Sequence, residues 1–403
     1  MKILWLSHFL PYPPHGGAKQ RSYNLIKEMA KKHSIYLLAI NHESFDSQLA
    51  IHDLRHLCAE VEIIDIPKYP IYKSYKALSS LLSLEPYAVS WLKNKRFKSS
   101  ITGIMKRTKI DAVHFDSIDI TWCIDAVKNI PKMLNHHNIE SQMMYRRAIH
   151  EYNFLKKMFF FLEYFKLKNY ERFICPKFKY SLTVSMLDKT RLAALCPSIK
   201  IEVIPNGVDT DYFKPTPVDP LHHSLIFAGR MGWYPNHDAM VFFFNEIWPI
   251  LKKEIPDVKI FILGGDLSKF LSGICGKYPD IEITGFVEDV RPYMDKSQVY
   301  VCPIRDGGGT KLKILDALAM AKPIVAHPVA IEGIEVSPEK HLLVATTPLE
   351  FVIAIKRLFA NASLRETLSA EGRKIVLEKY DFKKIGEKLS ALYQNMSGNP
   401  SIL

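Results

Sequence analysis

The chain is poor in the features that would place it across a membrane, in a secretory pathway or on a disulfide scaffold. No stretch of its 403 residues supplies the roughly 18 consecutive apolar side chains that a spanning helix needs. The N-terminus, MKILWLSHFLPYPP, has one lysine and a short apolar stretch broken by His8. It lacks the longer apolar region and small-residue cleavage site of a signal peptide, and reads as a buried first strand. Cys58, Cys123, Cys175, Cys196, Cys275 and Cys302 lie far apart with no CxxC pair. In a long chain this is the pattern of reduced core thiols. A GxGxxG fingerprint is absent, as is any 20–50-residue repeat.

Charge is abundant but uneven. The formal net charge is +12. Residues 1–204 hold 31 Lys+Arg against 18 Asp+Glu, and residues 205–403 hold 23 against 24. All the excess therefore lies in the first half, which is expected to face something anionic such as a phospholipid surface or a phosphorylated acceptor. Residues 66–110 hold ten Lys+Arg and one acid, Glu85, with tyrosines, Trp91 and Phe97 interleaved. Further on, FLKKMFFFLEYFKLKNY (154–170) has a helical pattern, is very apolar, and has lysines outnumbering its single Glu. Segments of this kind suit a membrane interface.

A length of 403 residues implies two domains. Apolar runs alternate with helical patterns throughout. Strands are predicted at 2–7, 34–40, 60–66, 111–116, 131–136 and 180–185, then at 224–229, 258–264, 281–287, 299–304 and 323–328. Helices are predicted at 22–33, 238–254 and 383–396. Continuous apolar strands separated by helices indicate parallel sheets covered on both faces. The fold class is therefore α/β, with two doubly wound Rossmann-like domains. The boundary is expected in VIPNGVDTDYFKPTPVDP (203–220), where prolines, Asn206-Gly207 and several Asp interrupt regular structure. This gives domains at 1–204 and 205–382, and a terminal helix and tail at 383–403 packing back on the first.

Four stretches carry chemistry. In VCPIRDGGGTKLKILDALAMAKPIVA (301–326) three glycines separate a strand from a helix start. Glycine lets a ligand approach the backbone, and the helix start offers free N–H groups and a positive dipole end suited to phosphate. Gly309, Thr310, Lys311 and Lys313 sit at that end, and Asp316 is placed for a neutral sugar hydroxyl. A second glycine turn, Gly16-Gly17, follows the first strand. Arg230 in FAGRM directly follows another, from where a guanidinium can grip phosphate bidentately. In LNHHNIES (134–141), His136, His137, Asn138 and Glu140 form a polar cluster after an apolar run. Histidine handles protons near neutral pH, and HHxxE has no clear metal-ligand spacing.

Together these pieces resemble the glycogen-synthase-like, sucrose-synthase-like retaining glycosyltransferases of the GT-B fold. The resemblance runs over nearly the whole chain and is carried by VIPNGVDTDYFKP (203–215), FAGRM (227–231), the PNHDA…IWP…P run (235–256), GFVEDV (285–290) and LKILDALAMAKPIV (312–325). It implies two domains facing each other across a cleft, with the acceptor on the first and a nucleotide-sugar on the second. Gly17, Arg230 and the 309–313 helix start would hold the donor diphosphate, with Lys313 reaching phosphate. Phe286 and Val287 would line the base pocket, and Asp316 would bind the ribose hydroxyls. His137 would sit near the reacting sugar, and His137, Arg230 and Lys313 form the implied catalytic set. No metal and no cofactor are expected, since cationic side chains supply the charge.

The chain departs from the family at three positions. Asp316 replaces the second of two glutamates, Gly308 falls on the first, and Asn236 stands where a lysine is frequent, with Lys313 expected to substitute. The implied reaction is glycosyl transfer with retention and without a metal, expected in cell-surface polysaccharide or lipopolysaccharide assembly. The acceptor is expected to be a saccharide or a lipid-linked one, and the location cytoplasmic, peripheral on the inner face of the membrane. A nucleotide-sugar epimerase of the same fold and a non-catalytic nucleotide-sugar binder are the alternatives; no nucleic-acid module is present.

Overall fold

The computed structural model describes residues 1–396 apart from 44, 68, 267, 269, 270, 272 and 275–277, so Cys275 and the 397–403 tail lie outside the described residues. The polypeptide divides into two compact units, Met1–Pro205 joined by the C-terminal segment from Lys383, and Asn206–Phe382.

The first unit is built on a seven-stranded sheet: β1 (Lys2–Ser7), β2 (Ser34–Asn41), β3 (Glu60–Asp65), β4 (Ala112–Phe115), β5 (Lys132–Asn135), β6 (Tyr180–Thr183) and β7 (Ile201–Val203). The order is β3-β2-β1-β4-β5-β6-β7, and every pair is parallel. Ile3, Leu4, Trp5 and Leu6 are all fully buried. Their side chains point alternately to opposite faces, so both faces must be covered, as parallel crossovers dictate. The helix Phe382–Met396 belongs to this unit from Lys383 onward. It buries Ile385, Leu389 and Tyr393. Ser390 Oγ lies 2.7 Å from His33 Nε2, and Tyr393 OH 2.8 Å from His114 Nδ1. Gly386 is required by the approach to the helix Gly17–Ala30, since a Cβ there would lie 2.4 Å from that of Glu28.

The second unit holds β8 (Ser224–Ala228), β9 (Lys259–Leu263), β10 (Ile281–Gly285), β11 (Val299–Cys302), β12 (Ile324–Ala326) and β13 (Leu343–Val344). Their order is β10-β9-β8-β11-β12-β13, again all parallel. Its core centres on Phe227, Phe243, Trp248, Tyr300 and Phe351. The segment after Asn206 is tied back to the unit's last residues, through Val208 N to Tyr380 O at 2.8 Å and Thr210 Oγ1 to Asp381 Oδ2 at 2.7 Å.

Three differences from the sequence reading have local causes. The 238–254 helix is instead Tyr234–Phe242, a π-helical turn Phe243–Ile247, and Trp248–Glu254. Pro249 lacks an N–H and its ring opposes the carbonyl four residues back, so the ladder widens before it. The 281–287 strand stops at Gly285, whose φ of 70° leaves the extended region. The first helix starts at Gly17 rather than 22, after Gly16 at φ 97°. The short β7 and β13 carry too few residues to show a period.

At the C-terminal ends of β8 and β9 the backbones nearly touch. Gly264 has φ 136°, and a Cβ there would lie 2.0 Å from Gly229 O. Gly264→Ala is expected to destabilise this unit by about 3 kcal/mol, from backbone strain and overpacking together. Urea unfolding followed by tryptophan fluorescence reads this as a lower midpoint; an unchanged midpoint contradicts the packing described.

Candidate functional site

In the second unit, the chain runs from β8 through β9 to β10 on one side, whereas β11, β12 and β13 lie on the other. The loops after β8 and β11 therefore diverge, and such a switch point opens a crevice beyond the carboxyl ends of the strands. Gly229 and Arg230 follow β8; Gly307 to Thr310 follow β11 and lead into the helix Leu312–Ala319. That helix has no side-chain cap on its first turn, which leaves its leading N–H groups and dipole for a ligand.

The loop is held open from within. Gly307 and Gly309 take φ of 113° and 63°. Lys311 Nζ donates to the carbonyls of Gly307, Gly308 and Gly309 at 3.0, 3.1 and 3.0 Å. Lys311 is buried, and its ammonium clamps three carbonyls that converge on it. The ammonium expected to face a ligand is thus turned onto the loop, which it shapes. Thr310 Oγ1 accepts from Asn206 Nδ2.

Lys313 is placed differently. Its Nζ lies 2.6 Å from Asn236 Oδ1 and 4.4 Å from the centre of the Phe227 ring. Asn236 Nδ2 in turn donates to Arg230 O at 2.8 Å. Lys313 thus brings its charge to the residue-236 position from a different element. A Cβ at Gly229 would lie 2.4 Å from Lys313 Nζ, so glycine there is what admits the ammonium. Burial lowers the Lys313 pKa to about 8, with Lys311 adding to the effect and Cys302 and Asp316 opposing it. Arg230 is exposed, its Nε 2.6 Å from Asp266 Oδ2. Asp266 itself sits at φ 65°, in the left-handed region. Phe286 is exposed beyond β10, while Val287, Gly309 and Asp316 are half-buried.

The first unit repeats the topology, with its switch between β1 and β4. Asp116 directly follows β4 and is fully buried. It accepts from Ser22 Oγ at 2.7 Å, Asn135 Nδ2 at 3.2 Å and Ser7 Oγ at 3.3 Å. His137 Nε2 lies 3.4 Å and His114 Nε2 3.6 Å from its Oδ1. Burial alone would raise its pKa, but the charge of His137 and the close approach of the His114 and His137 rings outweigh it, and the carboxyl is held well below the usual range. Arg21, also buried, donates to Pro205 O at 2.6 Å, Ile204 O at 2.8 Å and Asn135 Oδ1 at 3.0 Å. Burial brings its pKa down to about 10 against the pull of Asp116.

The two adjacent histidines separate cleanly. His136 is buried, its Nε2 3.9 Å from Cys175 Sγ, and burial lowers its pKa to about 3. His137 keeps partial exposure and the carboxylate contact. His8 Nε2 lies 3.7 Å from Asp119 Oδ2. Burial raises Asp119 to about 6, opposed by Ser117 and His137. Burial together with the charges of Asp119 and Glu171 holds Glu140 well above the ordinary value. Gly17 opens a helix that has no side-chain cap. Asp116, Arg21, Asn135 and Asp119 were not singled out from sequence. The one legible signal was an acid closing an apolar strand, DAVHFD. Among the described residues, the group able to hold a metal ion is His222, His223 and Asp257. It lies at the amino ends of β8 and β9, the opposite edge from the glycine loops.

Comparison with known proteins follows the same division. Residues 15–212 match the model for Glycosyltransferase Family 4, and residues 222–361 that for Glycosyl transferases group 1. An "Uncharacterized 44.6 kDa protein in cps region" of Klebsiella pneumoniae is 24% identical over 95% of this chain and 97% of its own. Sucrose-phosphate synthase of Thermosynechococcus elongatus superposes with a TM-score of 0.72 at 14% identity, over 99% of this chain and 100% of that one. HepE of Anabaena, solved in complex with UDP, gives 0.68 at 14% over 98% and 100%. The fold is GT-B.

The buried carboxylate generates a stability prediction. Asp116 has a folded pKa below its unfolded one, so its contribution is present above about pH 4 and lost as pH falls through the folded value. Asp116→Asn is expected to cost about 3–5 kcal/mol at pH 7 and to flatten the acid limb of the stability curve. Urea titrations between pH 3 and 7 check this; an unchanged acid limb contradicts it.

Proposed function

The chain belongs to the group 1 and family 4 glycosyltransferases, matched over residues 222–361 and 15–212, and from that premise we propose the following activity. The protein transfers a glycosyl group from a nucleoside-diphosphate sugar to a saccharide or lipid-linked acceptor, with retention and without a metal, in cell-surface polysaccharide assembly on the cytoplasmic face of a membrane. The supporting observation is the meeting of Lys313, Arg230 and an uncapped helix start around the β8–β11 switch point. These supply two cations and free N–H groups where a diphosphate needs them. HepE is described in complex with UDP and with UDP-glucose, and the Klebsiella relative lies in a cps region; both favour this reading.

In the proposed step, the bond from the anomeric carbon to the diphosphate oxygen breaks. The acceptor oxygen bonds to that carbon on the same face, and the acceptor proton passes to the leaving phosphate. Arg230, Lys313 and the helix N–H groups stabilise the charge that builds on the diphosphate. Gly17 and Gly309 allow close backbone approach, and Thr310 offers a hydroxyl. Asp316 binds the ribose hydroxyls, and Phe286 and Val287 line the base. Lys311 acts through the loop it clamps. We assign His137 to turnover, with Asp116 fixing its ring.

Calorimetry with UDP, GDP and ADP tests the donor site. Lys313→Ala and Arg230→Ala are each expected to weaken the preferred diphosphate by about ten- to a hundredfold, the range of a charge-assisted contact; Asp316→Ala weakens it through the ribose. His137→Ala is expected to lower turnover by about a hundredfold or more with the diphosphate Kd unchanged. Unaltered affinity in all three donor-site variants, each shown to be folded, sinks the assignment.

Lys313 adds a pH signature. With a pKa of about 8 in the free protein, it is mostly uncharged at pH 8.5, and an adjacent diphosphate favours the charged form. Binding at pH 8.5 is therefore expected to take up roughly three quarters of a proton, and almost none at pH 6.5. The enthalpy in buffers of different ionisation heat measures this. Equal uptake in Lys313→Met contradicts it.

A further inference from the structure

One side of the first unit is inside out. In the helix Phe154–Ile174, the buried stripe includes Glu163, Lys166 and Glu171, whereas Leu155, Met158, Leu162 and Phe165 are exposed. The exposed set recurs at three- and four-residue steps, one continuous face of a helix. The ionisable residues beneath it have partners: Lys166 Nζ donates to Ser80 O at 2.6 Å, Glu163 accepts from Tyr87 N at 2.7 Å and lies 3.4 Å from Lys166 Nζ, and Glu171 accepts from Ser141 Oγ at 2.5 Å. These bonds also seat the 80–87 stretch on the helix. Leu82 and Leu84 there are 96% and 95% exposed. Among the described residues, more than half of the large exposed hydrophobic ones come from just two segments, 69–84 and 145–173. Scattered exposed leucines need no explanation, but a contiguous field of them marks a contact surface.

We propose that this field is the surface by which the protein docks on a bilayer carrying anionic headgroups, deepening the membrane-face part of the function proposed above. The apolar face enters the acyl boundary and the lysines beside it meet the headgroups. Charge selects this occupant over a second copy of the chain. The first half carries a net +13, with 31 Lys+Arg against 18 Asp+Glu, and a self-pairing of this face sets lysine against lysine. Lys156 is exposed on the same helix and makes no ion pair among the described residues. The basic run at 93–98 contributes less than its sequence implies. Lys93 pairs with Glu85 at 2.7 Å and Lys98 with Asp125 at 2.5 Å. No described helix is long and apolar enough to cross a membrane, so the contact is peripheral in kind.

Co-sedimentation with phosphatidylcholine vesicles, with and without phosphatidylglycerol, tests this on the full chain. Binding is expected on the anionic vesicles alone, weakening as salt rises. Leu82→Asp with Leu155→Asp is expected to cut it at least tenfold. Lys156→Ser with Lys157→Ser is expected to cut it about tenfold and flatten its salt dependence. Affinity for whichever of UDP, GDP and ADP the wild type prefers stays at the wild-type value in both, which separates failure of docking from failure of the donor site. Equal partitioning onto both vesicle types, or none onto either, overturns the proposal. So does a wild-type dimer that the Leu82/Leu155 variant converts to monomer with no change in vesicle binding.

Discussion

Parallel strands cannot be joined by a hairpin, so each connection must cross over a face of the sheet. Where successive crossovers leave in opposite directions, two neighbouring loops part and nothing fills the gap between them. This constraint operates twice here, between β1 and β4 and between β8 and β11. Almost every residue with chemistry follows one of those strands or its neighbour. The sheets fix the positions of strand ends; the loops then need only short reach. That is why Gly264 and Gly229 matter: they let β8 and β9 close so tightly that the first residue available beyond them is Arg230.

Each unit holds a charge at its switch point that burial would otherwise neutralise. In the first, Asp116 stays ionised because serine, asparagine and histidine groups converge on it. In the second, Lys313 stays near the edge of its charged range, with Asn236 and an aromatic face as partners. The asymmetry is instructive. Asp116 is compensated on several sides and acts on its neighbours, lying beside His137 and bonding Asn135, which in turn accepts from Arg21. Lys313 is only partly compensated, which is why the proposed donor site assigns it to an incoming anion. A satisfied buried ion organises structure; an unsatisfied one selects a ligand.

Much of this was legible in the sequence, and the failures have physical sources. The strands Lys2–Ser7, Ser34–Asn41 and Ser224–Ala228 stand out because a doubly covered strand is apolar at every position. The glycine loop before Leu312 was visible because only glycine suits its backbone angles. The side to which a lysine turns is not written locally: Lys311 and Lys313 look equivalent in GGGTKLK, and only the convergence of three carbonyls separates them. Likewise His136 and His137 differ only through Cys175 and Asp116, which are 39 and 21 residues away in sequence. The helix Phe154–Ile174 was legible only in part, for a related reason. Its apolar and lysine content suited a membrane interface, but the choice between its two faces depends on Ser80, Tyr87 and Ser141.

The central claim is that the loops beyond β8 and β11, with the start of the helix Leu312–Ala319, hold a nucleoside diphosphate. Hydrogen exchange read by mass spectrometry, with and without saturating UDP or GDP, addresses it without needing an acceptor. The account predicts slowed exchange confined to peptides spanning 229–231, 285–287 and 307–314, and its loss in Lys313→Ala. Protection appearing instead around His222, His223 and Asp257, or no protection with any nucleoside diphosphate, would contradict it.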